Sequence, residues 1–243
     1  MTAPRIAVLN AADTGTHTSR NFRRELPGEI LEYQVTDQEL PATDGIDGCV
    51  VTGSRASVYW DEPWIDPLAD WIADAVASGL PTLGVCFGHQ IVADALGGRV
   101  EPIGEYEIGY RTVERIEESD LLAGLDSEFL VFTTHSDRVT ELPPGAHPIA
   151  ENDYGNHGFA CGSARTVQFH PEYDPRTAAL VTRQKDELPA AKRQAALDSI
   201  TRSNYERAQR ATRIFENFTD RVVGGPTAGT TCGTVDDEWS PAD

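Results

Sequence analysis

The stretch PTLGVCFGHQIVADALGG, residues 81–98, passes from a short apolar run to an amphipathic one through Val85-Cys86-Phe87. PTLGV has the length and composition of a buried strand, and GHQIVADAL has helical spacing closed by Gly97-Gly98. Cys86 lies between Gly84 and Gly88 in the pattern G-x-C-x-G. A sharp strand-to-helix turn demands small residues on both sides, because neighbouring backbone comes too close for side chains. The turn also sets the thiol at a helix N-terminus, where unpaired N–H groups and the helix dipole favour thiolate. A free thiol titrates near ~8.5, so lowering it by ~2 units, roughly 2.7 kcal/mol, makes thiolate dominant at neutral pH. Alone, the pattern serves a small buried cysteine at a strand end just as well.

Outward from this turn, RIAVLN (5–10), EILEYQVT (29–36) and GCVVTGS (48–54) read as further strands. Residues 63–78 place Trp64, Leu68, Trp71, Ile72, Ala75 and Val76 on one helical face, with Pro67 near the start and Gly79 as the stop. Apolar strands alternating with amphipathic helices imply an α/β fold: a mixed, mostly parallel sheet flanked by helices. Residues 99–170 change character. RVEPI, EIGYRTVERI, FLVFTTH, HPIAEN, HGFACG and RTVQFH are strand candidates joined by turn-rich segments, predicting added antiparallel strands. Residues 175–222 are helix-prone. The expected organisation is a main domain over 1–185, a C-terminal helical extension over 186–222 and an acidic, disordered tail over 223–243.

The formal net charge of −19 argues against binding phosphate backbones or anionic membrane surfaces, so neither nucleic acid nor membrane is expected as a partner. Lysine occurs only at Lys185 and Lys192, and the carboxylates are dispersed. Such a surface resembles proteins of salt-loving archaea, because molar salt shortens the Debye length to ~3 Å and screens like-charge repulsion. No secretory leader pattern is visible and no apolar run approaches the ~20 residues of a membrane span. Cys49, Cys86, Cys161 and Cys232 form no CxxC pair, so a reduced, cytoplasmic setting is expected, with Cys49 and Cys161 in the core. His89 and His135 read as structural, and His17, His147 and His157 as loop or strand-edge residues. None has metal-site spacing, so neither a metal nor another cofactor is expected.

A cysteine nucleophile needs an imidazole to stabilise the thiolate and to protonate a leaving amine, and the imidazole needs a group to orient it. RTVQFHPE (165–172) supplies a strand ending in His170, then the rigid Pro171, then Glu172. By itself this segment is equally a surface His-Pro-Glu turn.

Taken together, VVTGSRASVYWDEPWI, GVCFGHQIVADALGG, EIGYRTVE, HSDRVTELPPGA and VQFHPEY resemble, in order, the class I (triad) glutamine amidotransferases, in particular the stand-alone GMP-synthase-like type. The resemblance covers roughly residues 1–175. It implies a flavodoxin-like glutaminase fold and a catalytic set of Cys86, His170 and Glu172. It further implies an oxyanion hole from the backbone N–H groups of Gly53 and Phe87, and substrate contacts from Gln90, Ser136 and Asp137, with Gly109 and Tyr110 as a neighbouring backbone segment. The implied reaction is hydrolysis of the side-chain amide of L-glutamine through a cysteine thioester, with ammonia passed to a separate synthetase. The sequence carries no G-x-x-x-x-G-K-[ST] loop for activating an acceptor with ATP. A free-standing hydrolase of γ-glutamyl peptides or other γ-glutamyl compounds, and an inactive regulatory relative, remain as alternatives.

Overall fold

The computed structural model describes residues 3–12 and 17–225. The expected tail therefore lies almost wholly outside the described residues, as does Cys232.

Nine strands form one sheet in the order β2-β1-β3-β4-β9-β8-β7-β5-β6. The parallel half comprises β1 (Arg5–Asn10), β2 (Glu29–Gln34), β3 (Gly48–Val51), β4 (Thr82–Val85) and β9 (Ala164–Val167). The antiparallel half adds β5 (Arg99–Arg115), β6 (Glu128–Glu141), β7 (His147–Asn152) and β8 (Gly155–Cys161). The parallel and antiparallel parts are thus equal, with four pairings of each kind. RVEPI and EIGYRTVERI, read as two strands, are one long strand whose register shifts between Pro102 and Glu107.

Strands β1, β3 and β4 are buried along nearly their whole length because both faces of the sheet are covered there, whereas β2 at the edge is only partly buried. In β1, Ile6 and Val8 enter one core while Ala7 and Leu9 enter the other. The second core receives α2 (Ile65–Ala77) through Ile65, Leu68, Ile72 and Val76, and α3 (Phe87–Ala95) through Phe87, Ile91 and Val92. Pro67 sits in the first turn of α2, where its missing N–H costs nothing.

The first core receives two helices. One is α1 (His17–Glu25), which the sequence reading did not mark. The other is α7 (Arg213–Gly224), whose Ile214, Phe215, Phe218 and Val222 are buried with Ile6, Val8 and Phe22. Gly48 at the start of β3 lets α7 approach closely: a Cβ there would stand 2.7 Å from Val222. Between these helices, α4 (Pro175–Arg183) and α5 (Ala190–Ser199) cover Ile108, Tyr110 and Phe132 on the antiparallel half, followed by α6 (Arg202–Ala208). No helix among the described residues is long and apolar enough to cross a membrane.

Phe218 is fully buried between α7 and the sheet. Phe218→Ala is expected to lower stability by about 3–5 kcal/mol. Urea unfolding checks this as a lower midpoint at unchanged slope.

Candidate active site

Strands β3, β4 and β9 are parallel neighbours, so their C-terminal ends open on the same edge of the sheet. Gly53 follows β3, Cys86 follows β4 and His170 follows β9. Their convergence is a consequence of strand order, although the last two are 84 positions apart in the sequence.

Cys86 has φ 56° and ψ −105°; among the described non-glycine residues only it and Gln38 have positive φ. Such a backbone costs of order 1–3 kcal/mol and persists only when its surroundings hold it. Three observations account for the hold. The Cys86 N–H donates to Val167 O at 2.8 Å, which ties the turn to β9. A Cβ on Gly84 would collide with the Gly88 carbonyl, and a Cβ on Gly88 would collide with the Val51 carbonyl oxygen. Only glycines let the first turn of α3 press onto β3 and β4. The sulfur faces inward, 3.9 Å from Thr134 O.

His170 is buried with its Nδ1 2.8 Å from Glu172 Oε1, which leaves Nε2 for the thiol. Its ring stacks on Tyr173 at 4.0 Å between centroids and 20° between planes. Burial alone would lower the imidazole pKa. The adjacent Cys86 thiol and Glu172 carboxylate outweigh burial and push it up to about 10. Glu172 is itself held from behind, because Arg24 on α1 donates to its backbone oxygen at 2.6 Å.

Gly53 lies alongside this pair. A Cβ at that position would be 2.8 Å from His170 Cε1 and 3.6 Å from Cys86 Cβ. Phe87 is the first residue of α3, so its N–H has no intrahelical acceptor. Gln90 is buried, and its Nε2 donates to Asp137 O and to Gln168 Oε1, both at 3.0 Å. It therefore fixes the 136–137 segment. The Asp137 carboxylate is engaged by Ser57 Oγ at 2.6 Å and Tyr59 Oη at 2.8 Å. Ser136 is exposed and lines, with Asp137 and Tyr106, a separate cavity of about 580 Å³. Gly109 packs on Ala196 and Ser199 of α5, and the Tyr110 N–H donates to Ser199 Oγ.

His157 corrects the reading of a strand-edge residue: it is buried in β8. Its Nε2 lies 3.1 Å from Glu107 Oε2, which also meets His135 Nε2 at 2.6 Å. His135 Nδ1 in turn donates to Asp137 O at 2.8 Å, and Asn152 donates to Glu107 Oε1. Burial would raise the Glu107 pKa, but the two imidazoles hold it well below the usual carboxylate range. These three residues, distant in sequence, carry donor atoms within 4.8 Å of one another, a grouping that spacing alone did not reveal. At 2.6 and 3.1 Å the contacts are hydrogen-bond distances, suited to protons shared between imidazole and carboxylate. His89, by contrast, matches its structural reading, with Nδ1 on Thr166 Oγ1 at 2.8 Å.

Since Glu172 raises the His170 pKa, Glu172→Gln must lower it. In an imidazole NMR titration the variant's His170 is expected to titrate at lower pH than the wild type's. Any stability from this contact is fully present below the unfolded value of ~6.5 and is lost as pH rises through the folded pKa.

Comparison with known proteins bears on this geometry. The family model described as glutamine amidotransferase class-I matches residues 13–185. A glutamine-hydrolysing GMP synthase from Thermomicrobium roseum is 40% identical over 126 residues, covering 51% of this chain and 23% of that protein. One from Streptococcus pyogenes serotype M49 is 34% identical over 151 residues, covering 59% of this chain and 28% of its own length. The chain thus spans about a quarter of the length of these curated relatives. Among solved structures, a glutamine amidotransferase from Thermotoga maritima has TM-score 0.75 at 22% identity, covering 91% of this chain and all of that one. One from Methylobacillus flagellatus has TM-score 0.74 at 23% identity over 93% of this chain and 96% of its own. The structural matches support the fold, and the family match shows the membership: the chain belongs to the class-I glutamine amidotransferases.

Proposed function

We propose that the chain hydrolyses the side-chain amide of L-glutamine through a thioester on Cys86. The observation that carries this reading is the meeting of Cys86, His170 and Glu172 at the ends of adjacent strands, with the imidazole pKa raised by both neighbours. The pair starts as thiolate and imidazolium. The thiolate attacks the amide carbonyl, and the oxyanion is met by the N–H groups of Gly53 and Phe87, each worth ~3 kcal/mol in the barrier. As the C–N bond breaks, the imidazolium gives its proton to the leaving ammonia. Neutral His170 then takes a proton from water, the hydroxide attacks the thioester, and glutamate leaves with thiolate and imidazolium restored.

The ammonia acceptor is proposed to lie on a separate synthetase, GMP synthesis being the model that the curated relatives support. Gln90 and Ser136 are proposed to shape the substrate side of the site, with Asp137 held in place by Ser57 and Tyr59. One feature favours a second reading, a free-standing hydrolase of γ-glutamyl compounds: the cavity beside Ser136 and Tyr106 offers room for a larger substituent.

Cys86→Ala is expected to keep its circular dichroism spectrum and melting transition while glutamate release from L-glutamine falls at least ~10³-fold. Equal activity in the variant would remove the mechanism. Incubation of the purified chain with γ-glutamyl dipeptides separates the two readings: rapid glutamate release from dipeptides but not from glutamine favours the second.

A further inference from the structure

His170 meets Tyr173 in an arrangement that the other aromatic pairs of the described residues avoid. Phe22 crosses Phe215, Tyr110 crosses Phe132 and Phe129 crosses Phe169 edge-on, at 86°, 82° and 72°, with centroids 5.9, 5.3 and 5.7 Å apart. His157 lies parallel to Phe169 but offset, at 6.4 Å. Neutral rings choose such arrangements, because their quadrupoles repel when the faces stand directly opposed. His170 and Tyr173 come close to that disfavoured arrangement, at 4.0 Å and 20°. An imidazolium removes the objection, since a cation over the electron-rich face of a tyrosine ring is attracted to it. The stack therefore suits a charged His170, the form that Cys86 and Glu172 also favour.

Neighbours on three elements hold Tyr173. Its N–H closes a turn on His170 O at 3.4 Å, and the His170 N–H donates to Phe132 O at 2.9 Å. The Phe132 ring packs on Tyr173 at 5.9 Å and 35°, so ring contact runs from β6 to the imidazole. Asp174, the next residue, caps α4 by accepting from the Thr177 N–H at 2.7 Å. Arg20 and Arg24 of α1 hold the Asp174 carboxylate at 3.0 and 3.3 Å. His170 and Tyr173 both line the cavity at Gly53 and Thr134 and a smaller one at Arg24, Tyr110 and Tyr205, so the stack stands between the two. The titratable and charged groups facing His170 are Cys86 from the turn after β4, Glu172 from its own loop and His17 from α1, with Arg55 and Lys185 on the same cavity. Burial pushes the Tyr173 hydroxyl pKa well up, so the residue offers His170 a neutral ring.

We propose that Tyr173 is a positioning residue: its ring holds the His170 imidazole with Nε2 toward Cys86 and stabilises the imidazolium that protonates the leaving ammonia. The proposal rests on the hydrolase reading above. The tyrosine hydroxyl has no part in it. Position 173 has to present a flat, electron-rich face. An aliphatic side chain of similar size fills the space but leaves the imidazole free to turn and its charge without the ring. Because the thiolate and the imidazolium form together, loss of the face also delays thiolate formation at Cys86 to higher pH.

The test compares Tyr173→Phe, which keeps the face, with Tyr173→Leu, which removes it. Circular dichroism checks folding, and Tyr173→Met replaces the leucine variant if that one does not fold. One readout is kcat and KM for L-glutamine. The other is the pH profile of Cys86 alkylation by iodoacetamide, mapped by peptide mass spectrometry. Tyr173→Phe is expected to keep kcat within ~3-fold and the alkylation profile of the wild type, whereas Tyr173→Leu loses at least ~10-fold in kcat with KM within about twofold. In Tyr173→Leu the rise in alkylation moves to higher pH by ~0.5 unit or more. An unmoved profile in Tyr173→Leu overturns the proposal, as does a loss confined to KM. A phenylalanine variant as impaired as the leucine one also overturns it, because the hydroxyl is then the cause. If the wild type does not hydrolyse glutamine but the profile moves in Tyr173→Leu and not in Tyr173→Phe, the positioning role stands and the glutaminase reading falls. If glutamine is hydrolysed and the profile does not move, the reverse holds.

Discussion

The bare backbone of Gly88 against the Val51 carbonyl is the contact on which the rest of the site depends. It lets α3 begin immediately beyond β4, and that forces Cys86 into a positive-φ conformation. The unfavourable geometry is offset by burial on both sides: Phe87, Ile91 and Val92 in one core, Val85 and Val167 in the other. A cysteine on a relaxed turn would drift. On this one, the sulfur, the first free N–H of α3 and the ring of His170 have their places set by the packing of three strands and a helix.

The centre of the parallel half was legible because β1, β3 and β4 are buried on both faces and read as short apolar runs. The convergence of Cys86 with His170 and Glu172 was legible for a local reason: Gly84, Gly88 and Pro171 are backbone constraints written beside those residues. α1 was not legible. Of its residues only Asn21 and Phe22 are buried, and the helix is otherwise polar, so it has no stripe to detect. Its role is equally hidden in the sequence, since Arg24 reaches the Glu172 backbone across 148 positions. The split of β5 into two strands followed from Pro102 and Gly104, which mark a register shift rather than an end. Asp137 shows a further limit: the motif identifies the residue, but only the fold reveals that Ser57 and Tyr59 occupy its carboxylate.

The interior polar residues form a second layer behind Cys86 and His170. Glu107, His135 and His157 share a carboxylate in the core, and His135 and Gln90 converge on the same Asp137 carbonyl oxygen. Breaking such a buried network by removing one member generally costs more than the network contributes when intact, because the remaining groups are left without partners. Its effect is to join β5, β6 and β8 to the helix that begins at Cys86, so the antiparallel half is mechanically part of the site.

The packing of α7 beneath β1 has a consequence for biosynthesis. Phe215 and Phe218 cover a face built from Ile6 and Val8, some two hundred positions earlier in the sequence. That face has no complete cover until the α7 segment has also emerged. The growing polypeptide must therefore hold β1 with one greasy side open while the residues between β1 and α7 are made, an interval in which a chaperone is a natural companion.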